Sequence, residues 1–104
     1  LNAATAVSGS GPAYVFYFMQ AMIESAIKLG FSASEAEFLV SQTFSGSVQL
    51  QNRSKLSNAD WIQRVASKGG TTEAALTIFT QNEQQKGITK GIEAANIRAI
   101  ELGT

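Results

Sequence analysis

The strongest constraint on the fold of this chain is a run of six consecutive apolar residues within a helical pattern, Tyr14-Val-Phe-Tyr-Phe-Met19. Such a run covers more than a turn and a half of an α-helix, so apolar side chains lie on every face of it. Further along the helix, polar residues form only a narrow stripe at i, i+4 and i+8, namely Gln20, Glu24 and Lys28. One packing surface cannot cover this helix. We therefore expect its own domain to cover one side and a second surface to cover the other.

A membrane-spanning helix is the alternative explanation of this run. A transmembrane helix needs about 20 predominantly apolar residues, whereas Gln20 and Glu24 interrupt the pattern directly after Met19. A subunit or domain interface is the better explanation, because a monomer of 104 residues would otherwise expose a large aromatic patch.

The hydrophobic pattern has the helical period along nearly the whole chain, and no alternating β-branched run indicates a strand. The sequence therefore predicts one all-α domain of about five helices. Residues 1–9 are small and polar and are expected to be a connector. The first predicted helix runs from Ser10 to Leu29, and Gly30 ends it. The second runs from the capping boxes at Ser32 and Ser34 to Gln51, and the third runs from the Ser57 cap past Trp61. The last two run from about Thr72 to Thr80 and from about Gln84 to Leu102.

Composition excludes several kinds of site. The chain has 8 Lys+Arg and 8 Asp+Glu, so no basic face is available to neutralise many phosphates, and nucleic acid is not an expected partner. It has no Cys and no His, which removes disulfides, thiol nucleophiles, zinc sites and imidazole chemistry. No metal site is expected. The lack of Cys is compatible with a reducing cytosol, and the cytoplasm is the expected location.

The stretch Val65-Ala-Ser-Lys-Gly-Gly-Thr-Thr-Glu-Ala-Ala-Leu76 is the candidate site. Gly69 and Gly70 let a ligand approach the bare backbone, and Thr71 or Thr72 can cap a helix that starts at Glu73. A helix N-terminus presents unpaired N–H groups and the positive end of the helix dipole, which suits a carboxylate or phosphate. Ser67 adds a hydroxyl and Lys68 a positive charge. The alternative is that the stretch is only a turn and a cap.

No Gly-x-Gly-x-x-Gly follows a strand and no Walker loop is present, so the sequence contains no place of its own for a nucleotide. The chain also opens at Leu1 without a methionine. Together these features lead us to expect a piece of a longer protein.

Two stretches carry a resemblance to a known family: Ser8-Gly-Ser-Gly-Pro-Ala-Tyr14 and, about fifty residues later, Val65 to Leu76. They resemble pyrroline-5-carboxylate reductases over essentially all 104 residues, in the order and spacing of that family's C-terminal domain. The second stretch is similar to the family signature of a small residue, a hydroxyl, any residue, Gly, Gly, any residue and Thr. Lys68 and Thr71 fall at its variable positions.

The resemblance implies an enzyme that reduces 1-pyrroline-5-carboxylate to L-proline with NADPH or NADH, the last step of proline synthesis. It also implies an N-terminal Rossmann domain outside this chain, and helical domains that interlock into a homodimer and assemble further in some members. Without the cofactor domain, the fragment alone is expected to be inactive.

The resemblance also implies site residues. The substrate carboxylate would bind at the hinge before the fourth helix, where Ser67 and the backbone N–H groups of Gly70 and Thr71 would donate. Thr72 would lie near the imine nitrogen as the catalytic residue. The substrate-binding set is then Ser67, Gly69, Gly70, Thr71 and Thr72, and the residues facing the nicotinamide are Ser10, Gly11 and Pro12. A non-catalytic helical interaction module and the helical half of another dehydrogenase are the alternatives.

Overall fold

In a computed structural model, residues 2–67 and 69–103 are described, and all regular structure within them is helical. This confirms the predicted all-α class. Five longer helices follow a short N-terminal helix and a π-helical turn. The elements are α1 (Asn2–Ala4), the π-turn (Thr5–Gly9), α2 (Gly11–Lys28), α3 (Ala33–Asn52), α4 (Asn58–Ala66), α5 (Gly70–Gln81) and α6 (Gln84–Glu101).

The C-terminal end of α2 has the predicted glycine cap. Gly30 has a φ of 114°, in the region that glycine tolerates best. The N–H of Gly30 donates to the carbonyl of Ile27 at 3.0 Å, and the N–H of Phe31 donates to the carbonyl of Ala26 at 3.2 Å. This pair of bonds is the Schellman motif, which satisfies carbonyl groups that the helix end leaves without a partner.

The N-terminal end of α3 confirms the predicted capping box at Ser32. The Ser32 hydroxyl accepts from the N–H of Glu35 at 3.2 Å, and the Glu35 carboxylate accepts from the N–H of Ser32 at 2.8 Å. The pKa of Glu35 lies below its ordinary value. The larger cause is the hydrogen bond from the backbone N–H of Ser32, and the smaller cause is a hydrogen bond with the Ser32 side chain. A similar arrangement opens α4, where the N–H of Asp60 donates to the Ser57 hydroxyl at 3.0 Å.

The prediction of a connector over residues 1–9 is wrong for residues 2–9, which are helical; Leu1 lies outside the described residues. The alanines in this stretch have high helix propensity, and α1 and the π-turn lie close to α6. Packing on a helix some ninety residues away therefore sets a structure that the local pattern does not indicate.

Backbone contacts divide the chain into two compact units. The first comprises Leu1–Pro12 and Gln63–Thr104, and the second comprises Ala13–Ile62. Each unit buries little of its own apolar surface: among the described residues the buried side chains are Ala6 and Ala99 in the first unit, and Ala36 and Val40 in the second.

Large apolar side chains of α2 are exposed, including Phe16, Tyr17 and Phe18. Within the part of the chain that the structure describes, no helix has the length and apolar character needed to cross a membrane.

Candidate functional site

Backbone hydrogen bonds to carbonyl groups of α4 continue into the hinge between α4 and α5. The N–H of Ser67 donates to the carbonyl of Gln63 at 2.9 Å, and the N–H of Gly69 donates to the carbonyl of Ala66 at 3.4 Å. The Ser67 hydroxyl donates to the carbonyl of Arg64 at 2.9 Å. This fixes the oxygen of Ser67 beside the end of α4. Lys68, the positive charge expected here, lies outside the described residues.

The helix after the hinge begins earlier than predicted. The structure starts α5 at Gly70, with Gly69 as the N-cap in extended backbone at φ 174° and ψ 157°, and no side chain caps the helix. The prediction that Thr71 or Thr72 is the cap is therefore wrong, since both lie inside the first turn. Thr72 and Leu76 are both half-buried and one turn apart, and α5 lies close to α6. Burial of this face favours helix further toward the N-terminus than the sequence pattern indicates.

This earlier start gives the first turn of α5 the property that an anion site requires. In any α-helix the N–H groups of the first residues have no carbonyl four residues earlier to donate to, and here those residues are Gly70, Thr71 and Thr72. Gly69, Gly70 and Thr71 are exposed. Apart from the adjacent residues and the backbone of α5 itself, no heavy atom of the described residues lies within 4 Å of a Cβ built on Gly69 or Gly70. A small anion can therefore reach the N–H groups at the positive end of the helix dipole.

The Thr72 side chain differs from its neighbour Thr71 in burial. Thr72 is half-buried and Thr71 is exposed. The hydroxyl of Thr72 makes no hydrogen bond to another described residue, whereas Thr77, later in α5, donates to the carbonyl of Glu73 at 2.9 Å. Among the described residues, the Thr72 hydroxyl thus has no partner, and it can donate to or accept from a second polar atom of a molecule bound at the start of α5.

The second predicted segment, Ser10 to Pro12, lies where the π-turn meets α2. Ser10 has helical dihedral angles, φ −87° and ψ −15°, and its N–H donates to the carbonyl of Thr5 at 2.8 Å. It therefore lacks the extended backbone that is typical of an N-cap residue. Apart from its chain neighbours and the backbone of α2, no heavy atom of the described residues lies within 4 Å of a Cβ built on Gly11. The backbone of Gly11 therefore leaves room for another group to approach it closely.

Both predicted segments belong to the first unit, and α6 is close to both of their elements. The π-turn packs along α6, and so does α5. Thus α6 lies close to the turn that precedes Ser10 and to the helix that follows the hinge. Local sequence patterns do not predict that α6 packs in this way. The small residues Ala95 and Ala99 of α6, which are half-buried and buried, are the sequence signal of close packing.

The chemistry available at this site is binding and proton exchange by hydroxyl and N–H groups. In the described part of the chain, no three acidic, histidine or cysteine side chains come together in a way that could hold a metal ion.

Comparison with known proteins identifies relatives of the whole chain. The family model described as pyrroline-5-carboxylate reductase dimerisation matches residues 1–102. A pyrroline-5-carboxylate reductase of Pseudomonas aeruginosa is 43% identical over 102 residues, covering 98% of this chain and 37% of that protein. One from Vibrio alginolyticus is 36% identical over 103 residues, covering 98% of this chain and 38% of that protein.

Solved structures agree with the sequence relatives. The Plasmodium falciparum pyrroline carboxylate reductase, solved with NADP bound, has a TM-score of 0.94 and 32% identity, covering 99% of this chain and 39% of that one. A pyrroline-5-carboxylate reductase from Coxiella burnetii has a TM-score of 0.92 and 38% identity, covering 97% of this chain and 37% of that one. The chain thus spans less than two fifths of the length of these relatives. Since the family model matches nearly every residue, the chain belongs to the pyrroline-5-carboxylate reductase dimerisation family.

Proposed function

We propose that this chain is the helical dimerisation and substrate-binding domain of an enzyme that reduces 1-pyrroline-5-carboxylate to L-proline with a reduced nicotinamide cofactor. The observation that carries the proposal is that the family match over residues 1–102 includes a hinge that leads directly into a helix at Gly70. The first N–H groups of a helix have no acceptor within it. The substrate is a carboxylate, and an exposed helix N-terminus preceded by glycines is suited to bind one.

The substrate carboxylate would accept hydrogen bonds from the N–H groups of Gly70 and Thr71. These groups are exposed and belong to the first turn of α5. Gly69 would allow the carboxylate to approach, because glycine carries no side chain. Ser67 would contribute once its hydroxyl rotates away from the carbonyl of Arg64 toward the anion. Dipole and hydrogen bonds together would fix the orientation of the ring.

Thr72 would orient the imine nitrogen. The Thr72 hydroxyl belongs to a residue about half a turn further along α5 than the N–H groups that would bind the carboxylate. One small molecule could therefore contact both the hydroxyl and these N–H groups. There it would donate a hydrogen bond to the nitrogen and pass on a proton from water as the imine carbon is reduced. The nicotinamide cofactor, when bound, supplies the hydride. Ser10, Gly11 and Pro12 would face its nicotinamide end, where the open backbone at Gly11 leaves room for the ring.

The length of the relatives supports the proposal that the enzyme has a further domain. Because this chain spans 37% of the Pseudomonas protein, we propose that a Rossmann domain outside these 104 residues binds most of the cofactor and chooses between NADPH and NADH. A cytoplasmic location suits a chain without Cys.

The proposed partner is a second copy of the same chain. Exposed apolar side chains occur on α2, α3 and α6, for example Phe18, Phe38 and Ile100. An interlocked homodimer would cover them, in keeping with the family name.

The experiment that tests the proposal is imine reduction by the full-length parent protein. Oxidation of NADPH and of NADH would be followed with 1-pyrroline-5-carboxylate as substrate, with residues 1–104 alone as the matched control. We expect turnover by the parent and none by the fragment. A folded, cofactor-binding parent that does not reduce the imine would contradict the proposal and favour a helical interaction module.

A further inference from the structure

The buried contact of the first unit lies at the π-turn. Ala6, within the turn, is 1% exposed and Ala99, on α6, is 4% exposed, and these are the buried residues among those described in this unit. The turn and α6 lie close together along their backbones. Methyl side chains permit this approach, because larger ones in a packed contact would hold the backbones apart.

The π-turn changes the direction of the residues that follow it. The N–H of Ser10 donates to the carbonyl of Thr5, five residues earlier, at 2.8 Å, where an α-helix would use the carbonyl four residues earlier. One residue is thereby added to the turn, which rotates Ser10 and Gly11 by about 100° relative to a continuous α-helix. The π conformation is rare and is found mostly where surrounding contacts and function require it.

We infer that Ala6 is a positioning residue for the nicotinamide end of the cofactor. Its burial where the π-turn packs on α6 keeps the turn in place, and the turn sets the direction of the backbone at Ser10 and Gly11. This inference rests on the proposed function, in which these two residues face the nicotinamide. Ala6 itself acts through them and contacts neither substrate nor cofactor.

The test replaces Ala6 with Val in the full-length enzyme. The added methyl groups should move the turn away from α6. We expect kcat to fall at least tenfold while the KM for 1-pyrroline-5-carboxylate stays within twofold, because the hinge that binds the carboxylate is unchanged. At saturating NADPH, the change in cofactor fluorescence on binding should also be smaller than in the wild type, since that signal reports the surroundings of the nicotinamide.

Two control variants separate positioning from general destabilisation. Val7→Ala alters an exposed neighbour in the same turn and should leave kcat and fluorescence unchanged. Ile92→Ala removes a half-buried side chain of α6 and should lower the melting temperature without changing the fluorescence of bound NADPH. If Ala6→Val fails to fold, Ala6→Gly, which removes the buried methyl, should give the same changes in weaker form.

Two results would overturn the inference alone: a folded Ala6 variant with wild-type kcat and fluorescence, or equal losses in Ile92→Ala at an equal fall in melting temperature. A wild-type parent that binds NADPH but does not reduce the imine would overturn the proposed function, and this inference with it.

Discussion

At the scale of single residues, two threonines that are adjacent in sequence differ in burial. Thr71 is exposed, while Thr72 is half-buried and keeps a free hydroxyl among the described residues. A helix advances about 100° per residue, so consecutive side chains point in different directions from the same first turn. In the proposed function, we therefore expect the hydroxyl of Thr72, and not that of Thr71, to reach the imine of a substrate whose carboxylate is held by the backbone.

Replacing Thr72 with Ala in the full-length enzyme should lower kcat about five- to tenfold, because one neutral hydrogen bond contributes roughly 1 kcal/mol. Thr72→Ser keeps the hydroxyl and should stay close to wild type, and Thr71→Ala serves as the control at the exposed neighbour. Steady-state kinetics with 1-pyrroline-5-carboxylate provides the measurement. Equal kcat values for Thr72→Ala and the wild type would show that the Thr72 hydroxyl takes no part in the reaction.

Glu83, between α5 and α6, is a strained residue. It has a φ of 52° in the left-handed region and is the described non-glycine residue with positive φ. Its carboxylate lies 3.9 Å from the ammonium of Lys86, and both side chains are mostly exposed, so this ion pair contributes little.

We therefore expect Glu83→Gly to raise the free energy of unfolding by about 0.5–1 kcal/mol, because glycine adopts this conformation without steric cost. Lys90→Gly, in the exposed interior of α6, should instead lower it by about 1 kcal/mol. Urea unfolding of the assembled protein compares the two. A loss of stability in Glu83→Gly would show that the left-handed conformation is not the strain that we assign to it.

At the scale of elements, the sequence predicts best where the determinants are local. Ser32, Glu35 and Gly30 lie within a few residues of the helix ends that they set, and the predicted caps at these residues are present. The π-turn was missed because packing on α6, which is distant in sequence, favours it. The early start of α5 was missed because the local pattern does not indicate that Thr72 and Leu76 are half-buried. The predicted site residues are located by the structure, but their roles remain predictions.

The α3 cap should make stability depend on pH. A lowered folded-state pKa of Glu35 means that its contribution is fully present above the ordinary glutamate value of about 4.3. That contribution is lost as the pH falls through the lowered value. Thermal unfolding followed between neutral and acid pH should show this loss.

Two variants of the cap distinguish its two hydrogen bonds. Glu35→Gln should remove this part of the pH dependence. Ser32→Ala should keep most of it, because the backbone N–H of Ser32, the larger cause of the lowered pKa, is retained. An acid transition that is the same in Glu35→Gln and the wild type would count against this assignment.

At the scale of the whole molecule, large apolar side chains at helical spacing are exposed. Ile78 and Phe79 of α5 are each 52% exposed, and Ile88 of α6 and Leu102 directly after it are also exposed. Periodicity identifies which face of a helix is apolar, but it does not say which chain covers that face. A second copy would turn these faces into a core.

Phe18→Arg should therefore disrupt the homodimer, because it places a charge on an exposed apolar position of α2 that the partner would bury. Gln20→Arg is the matched control, since Gln20 lies in the polar stripe and donates to Glu24 at 3.0 Å. Sedimentation of the full-length protein should give a dimer or larger assembly for wild type and Gln20→Arg, and smaller or aggregated species for Phe18→Arg. A stable wild-type monomer would refute the proposed assembly.

The uncovered aromatic face of α2 also has a consequence for synthesis in the cell. A chain that leaves the ribosome with Phe16 and Phe18 exposed presents a surface that chaperones bind and that aggregates while no partner is present. Neighbouring ribosomes on one messenger RNA supply such partners at high local concentration. We expect assembly to begin there, so that the yield of folded enzyme rises more steeply than in proportion to the rate of translation.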